Sequence, residues 1–299
     1  MVEEIEATVF STIPEKLHYR GEPTAWAQAV RPGKRIHSFL EGPSFDRDGN
    51  LYVTDVPHGR IFRINSGGEW DTAVEYDGQP NGLAIHRDGR LFVADHQRGL
   101  VAIDPVSGDV SSLCDQQTFR GCSDLVFRSN GDLYFTDAGT TSLNDPSGRV
   151  YRWSEGKLEE VLAGVPYPNG IVFDKEESQL LLAVTRGNCV WKFAPDTSGQ
   201  MVGLMVGLFI QLSGGLGPDG LALDVDGRLA VAHARNGTVW IFDGDGEPVY
   251  RIRMPAGKSV TNVAYGGTDN KTLYITEADH GSILQVKLDT PGQPLFSHQ

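Results

Sequence analysis

The chain has 299 residues, with 36 glycines and 16 prolines; 39% are hydrophobic and 22% charged. That composition excludes general disorder and describes a turn-rich globular protein. The 26 basic and 39 acidic residues leave a formal charge of −13, which argues against a nucleic-acid partner and against an anionic membrane surface, since both bind through basic side chains.

The start of the chain, residues 1–6, is acidic and carries no apolar signal region. Three cysteines (Cys114, Cys122 and Cys189) are too few for a disulfide framework and lack zinc spacing, so they read as reduced thiols of a cytoplasmic protein. A β-rich run, Ala7-Thr8-Val9-Phe10, comes next. Then one unit recurs six times: a polar residue, a short apolar run, a hairpin turn and a second apolar run. The paired runs are 41–45 and 51–55, 81–85 and 91–95, 124–127 and 133–137, 169–173 and 180–184, 219–223 and 229–233, and 262–265 and 273–277. Turns such as Asp48-Gly49, Asp88-Gly89, Asn130-Gly131 and Asp226-Gly227 are hairpin chemistry, because Gly and Asn tolerate positive φ.

Each unit supplies a third run, at 60–64, 99–103, 149–153, 189–193, 238–242 and 282–286, and then an outer one such as 159–162 or 249–252. The units begin at 41, 81, 124, 169, 219 and 262, so the period is 40–50 residues. Several strands per 40–50-residue unit indicate propeller blades. The expected fold is all-β: a six-bladed β-propeller with four antiparallel strands per blade, formed as a single domain over residues 1–299. The last unit ends short of a fourth strand, so the N-terminal run is expected to close that blade and remove an open edge. The longest interval contains residues 201–212, glycine-rich and too short to span a bilayer, which suit a lid or an association surface.

Equivalent repeat positions occupy equivalent places around the axis. Glu41, Asn81, Asp124, Asn169, Asp219 and Asn262 are therefore expected to ring one mouth of the central channel. Singly, an Asn or Asp before Gly is a turn cap. As a set, with Glu41 (a poor turn residue) at the same place, they point to a hard divalent cation, which prefers oxygen ligands. A second ring is counted at Asp55, Asp95, Asp137, roughly Thr185, His233 and Glu277, with His58, His96 and His280 beside it; capping competes with ligation there. Cys122 lies near the mouth, as a packed small residue or a nucleophile. No serine-hydrolase elbow, phosphate loop or zinc-protease motif is present.

These residues resemble the senescence marker protein (regucalcin), gluconolactonase and luciferin-regenerating enzyme family. The resemblance rests on Glu41-Gly42-Pro43, Pro80-Asn81-Gly82, Ser123-Asp124, Pro168-Asn169-Gly170, Pro218-Asp219-Gly220 and Thr261-Asn262-Val263, in order over about residues 36 to 288. It implies a six-bladed propeller that hydrolyses lactones with one divalent ion in the channel. By matching position it places the metal ligands at Glu41, Asn169 and Asp219, and the general base at Asp219. Ser123 departs from the Asn often found there, and the shorter hydroxyl leaves room for a larger substrate group. Asn81, Ser123, Asp124 and Asn262 are left to hold substrate oxygens.

The expected activity is metal-dependent hydrolysis of a small-molecule lactone. Calcium is the first choice of ion; zinc, magnesium and manganese stay open. The alternatives are a non-catalytic calcium-binding or scaffold propeller, or a hydrolase of another cyclic carbonyl or a phosphoester.

Overall fold

A computed structural model describes residues 2–114, 116–195 and 205–299. The first four residues of the 201–212 insertion lie outside them; the remainder includes the outer strand of the fourth blade, Val206–Gln211. The described strands form six sheets around one axis. Blade one is Leu40–Phe45, Leu51–Asp55, Arg60–Ile64 and Trp70–Glu75; blade two is Pro80–Ile85, Leu91–Asp95, Gly99–Ile103 and Val110–Ser112. Blade three is Cys122–Phe127, Leu133–Asp137, Gly148–Ser154 and Lys157–Val165; blade four is Pro168–Phe173, Leu180–Val184, Cys189–Phe193 and Val206–Gln211. Blade five is Gly217–Leu223, Leu229–Ala234, Thr238–Phe242 and Pro248–Arg253. Blade six is Val260–Gly266, Thr272–Glu277 and Ser282–Lys287, completed by the N-terminal strand Thr8–Thr12.

That closure agrees with the expectation from sequence. Thr8–Thr12 runs antiparallel to Ser282–Lys287, with Thr12 opposite Ser282. Sequence reading did not anticipate a further strand, Glu3–Glu6, which adds in parallel to the edge of blade five, Glu3 opposite Tyr250. One short helix, Ala25–Val30, is capped by the Thr24 hydroxyl. No helix among the described residues is long and apolar enough to cross a membrane.

The second strand of blades two, three and four is buried at every position. Such strands read as continuous apolar runs because each blade is covered on both faces. The core is six buried clusters, one at each contact between neighbouring blades. A fully buried Leu or Ile in them contributes roughly 1.5–3 kcal/mol. Glycines 49, 89, 131 and 227 at the hairpin tips all have positive φ, as their turns require.

The C-terminal residues cross the face opposite the site. Gln293 donates its N–H to the Leu223 carbonyl, and Ser297 donates its hydroxyl to the Phe45 carbonyl. Phe296 stacks on Phe127 at 4.5 Å, under the Arg87 guanidinium at 4.2 Å. The channel above this plug holds a cavity of about 160 Å³, lined by Gly42, Leu125, Val263, Asp124 and Asn262 and, from the C-terminal segment, by Leu295 and Phe296.

Candidate active site

Each innermost strand carries a bulge near its start, where two strands lose register and a residue is freed to point inward. The hairpin pairs Phe45–Leu51, Ile85–Leu91, Phe127–Leu133, Phe173–Leu180, Leu223–Leu229 and Tyr265–Leu273 fix the count in each blade. Counted back from them, Glu41, Asn81, Ser123, Asn169, Asp219 and Thr261 share one tier. Gly42, Gly82, Asp124, Gly170, Gly220 and Asn262 share the next, one residue deeper.

This corrects the single ring expected from sequence. Asp124 and Asn262 stand where the other four blades have glycine. The missing Cβ atoms make their room: a Cβ on Gly82 would overlap the Asp124 carboxylate, and one on Gly220 the Asn262 amide. The two deep side chains, from blades three and six, meet across the axis, Asn262 Nδ2 donating to Asp124 Oδ2 at 3.4 Å. In the upper tier Asn169 Nδ2 donates to Asp219 Oδ1 at 2.5 Å and to Thr185 Oγ1 at 3.3 Å.

Threonine hydroxyls tie four of the six strand starts to a neighbouring blade. Thr54 donates to the Asn81 carbonyl at 2.6 Å, Thr136 to that of Asn169 at 2.9 Å, Thr185 to that of Pro218 at 2.7 Å and Thr261 to that of Leu40 at 2.8 Å. These bridges set the tier residues relative to one another across blade boundaries.

The electrostatics are those of buried acids crowded together. Burial and the Asp124 charge push the Glu41 carboxyl up to about 8. Burial raises Asp124 to about 7, against the hydrogen bonds from the Leu125 N–H and from Asn262. Asp219 lies well above the usual carboxylate range, raised by burial and by the Glu41 and Asp124 charges. Buried like charges produce such shifts when no cation offsets them.

The second ring caps the loops instead. Asp55 accepts the Phe39 N–H at 2.7 Å and is paired with Arg60; Asp95 accepts the Gln97 and Arg98 N–H groups at 2.8 and 2.7 Å. Asp137 accepts the Arg120 and Gly121 N–H groups, and Glu277 those of Asp279 and His280. Register assigns Val184, not Thr185, to this ring in blade four. The histidines follow their loops: His58 stacks on Tyr19, His96 packs beside Gly121, His233 pairs with the Gly214 carbonyl and His280 with Glu277. Cys122 is fully buried and its thiol is pushed up by burial, so it is a packing residue.

Sequence reasoning named Thr185 only for the second ring and Thr261 only within a motif, and did not foresee that their hydroxyls bridge neighbouring blades. It also missed Tyr167, whose phenol is pushed up to about 12 by burial and by the charge of Asp219, with Glu41 adding to it. The Pro168-Asn169 motif adjoining Tyr167 was the signal that could have found it.

Residues 39–279 match the profile of the SMP-30/gluconolactonase/LRE-like region. The chain belongs to this family. Lactonase drp35 of Staphylococcus aureus is 31% identical over 243 residues, covering 77% of this chain and 73% of that protein. Lactonase drp35 of Staphylococcus saprophyticus is 29% identical over 255 residues, covering 82% and 79%. The crystal structure of a calcium-binding protein, regucalcin, from Agrobacterium tumefaciens aligns at TM-score 0.79 and 20% identity, over 100% of this chain and 99% of that one. A gluconolactonase from Xanthomonas campestris aligns at TM-score 0.71 and 22% identity, over 92% and 97%. At these identities the two solved structures speak to the fold.

The donor chemistry of this SMP-30/gluconolactonase/LRE-like chain fits a hard cation. Its channel gathers carboxylate, amide and hydroxyl oxygens, and its buried acids lie close enough to raise one another's pKa. Among the described residues no three His, Cys, Asp or Glu side chains make an ion site by themselves. A set that fits is mixed, two carboxylates with the Asn169 amide, whose oxygen and nitrogen exchange places by a half-turn.

Proposed function

We propose that this protein hydrolyses a lactone at the two-tier channel site, with Glu41, Asn169 and Asp219 holding one divalent cation, calcium first among the candidates. The observation that carries the reading is the placement of Asp219 beside Asn169 and Glu41, in a chain 31% identical to a lactonase. A cation bound there would polarise the ester carbonyl and offset the charge that develops on its oxygen.

The chain's own groups supply the rest. The Asn169 amide and Asp219 Oδ1, which face each other, would hold the cation between them and leave Asp219 Oδ2 for a water molecule. Asp219 takes a proton from that water as its oxygen adds to the carbonyl carbon. The tetrahedral adduct then collapses, the bond from the carbonyl carbon to the ring oxygen breaks, and Asp219 returns the proton to the departing oxygen. The product is a hydroxy acid, which releases a proton at neutral pH. Asn81, Ser123, Asp124 and Asn262 line the two tiers and orient substrate oxygens. The C-terminal plug keeps bulk water from the far side of the channel. Reduced thiols at Cys114, Cys122 and Cys189 support a cytoplasmic setting.

A lactone panel read by pH drop, with exhaustively chelated and metal-restored protein, tests this. Chelation should abolish turnover, and Asp219→Ala should lower kcat at least ~100-fold. Hydrolysis that survives complete chelation removes the cation from the reading. A second reading, a calcium-binding propeller without turnover, is favoured by the likeness to the calcium-binding regucalcin; stoichiometric calcium binding with no lactone opened would select it.

A further inference from the structure

One arc of the site's rim seats an arginine on an aromatic ring, an arrangement that Arg98 over Tyr76 approaches in blade two. Tyr167 ends the loop into blade four with φ at +65°, a left-handed backbone that a bulky aromatic residue rarely adopts. Two hydrogen bonds hold it there: its N–H donates to Thr141 Oγ1 at 3.0 Å, and its carbonyl accepts the Thr185 N–H at 3.0 Å. The ring carries the Arg186 guanidinium, 5.4 Å from its centroid. Arg186 is the residue directly after Thr185, and Thr185 bonds both Asn169 and the Pro218 carbonyl. The cation is therefore anchored one residue from the groups that position the Asn169–Asp219 pair.

Arg186 is exposed, and its guanidinium makes no ion pair or hydrogen bond with any other described residue. Some other surface arginines of this acidic chain find carboxylates, as Arg63 does with Asp71 and Arg90 with Asp88. Near a site holding three carboxylates, a cation kept off all of them by an aromatic seat is available to a ligand. An anionic substrate would otherwise be repelled by that site and by the net charge of −13.

We infer that Arg186, seated on Tyr167, is the substrate-selecting group of the rim, and that the lactone opened below it carries a carboxylate beside its ester. This deepens the lactonase reading and rests on it. The guanidinium fork holds the carboxylate, and the ester carbonyl is thereby presented to the Asn169–Asp219 side of the channel.

The test pairs 5-oxotetrahydrofuran-2-carboxylate with its neutral carboxamide as substrates. The parent protein should favour the acid in kcat/KM. Arg186→Gln should lower the acid-to-amide ratio roughly tenfold to a hundredfold, mainly through KM. Tyr167→Ala should do the same by removing the seat, while Tyr167→Phe, which keeps the ring, should retain the ratio. An unchanged ratio in Arg186→Gln overturns the inference.

Calorimetry separates its failure from that of the lactonase reading. The full-length protein should bind tetrahydrofuran-2-carboxylate, which cannot be hydrolysed, at least about tenfold tighter than the carboxamide, and Arg186→Gln should lose the difference. Equal binding of the two overturns the inference whatever the hydrolysis assay shows. Selective binding with no lactone turned over overturns the lactonase reading and the substrate with it, leaving Arg186 as an anion receptor.

Discussion

Asp124 offers a stability measurement with a definite sign. It is 8% exposed, and burial raises its carboxyl from 3.8 to about 7. In chelated protein the folded state thus keeps a proton that the unfolded chain gives up above about pH 4. The unfolded state binds fewer protons in that window, so stability falls as pH rises from about 4 to about 7 and levels off beyond. Three pKa units at about 1.4 kcal/mol each cost roughly 4 kcal/mol at pH 8. Asp124→Asn removes that cost. The new amide still accepts the Leu125 N–H, now at 2.9 Å, but sets an N–H₂ group against Asn262 Nδ2, forfeiting a long 3.4 Å bond. That loss is about 1 kcal/mol. The variant should therefore be about 3 kcal/mol more stable than the parent at pH 8, a rise of roughly 5 °C for a chain of this length, with the advantage gone by about pH 5. Paired thermal and urea unfolding in chelator at pH 5 and pH 8 measure it. A variant less stable than the parent at pH 8, or a difference that ignores pH, refutes the reasoning.

The packing sets three further outcomes. Gly220→Ala should displace Asn262, whose amide occupies the space of the new Cβ; the expected loss is about 1–3 kcal/mol with most turnover, and wild-type activity would contradict the two-tier packing. Phe296→Ala removes the ring stacked between Phe127 and Arg87. It should cost about 3–5 kcal/mol in chemical denaturation, and a cost below about 1 would mean the C-terminal plug contributes nothing to the ring. Deleting residues 2–12 strips the outer strand from blade six, so the melting midpoint should fall by about 10 °C or more, whereas an unshifted melt would show that blade six needs no fourth strand.

The propeller was legible because its spacing repeats and because middle strands covered on both faces must be apolar from end to end. The tier assignment was not, because blades three and six carry an acid or amide one residue deeper than the others do, which leaves the strand pattern unaltered. The clue lay in the residue C-terminal to each polar position: Gly42, Gly82, Gly170 and Gly220 in four blades, but Leu125 and Val263 in the other two. Aligned on their apolar runs, Asp124 and Asn262 fall opposite glycines. The carboxylates at Asp55, Asp95, Asp137 and Glu277 carried no mark separating a loop cap from a ligand, since either role needs the same oxygen at a strand end. Tyr167 and Arg186 belong to loops, outside the repeat, where periodicity has nothing to say.

The strand Thr8–Thr12 is made long before its partner Ser282–Lys287: the Thr12 and Ser282 hydroxyls that meet at 2.9 Å are 270 residues apart in sequence. Thr8–Thr12 must therefore wait through the synthesis of five blades with its edge unsatisfied. Its acidic neighbours Glu3, Glu4 and Glu6 help to keep that waiting segment from pairing with other nascent chains. The tier residues come from every blade, so a complete site should arrive at once, when blade six closes, and never in a fragment of the ring.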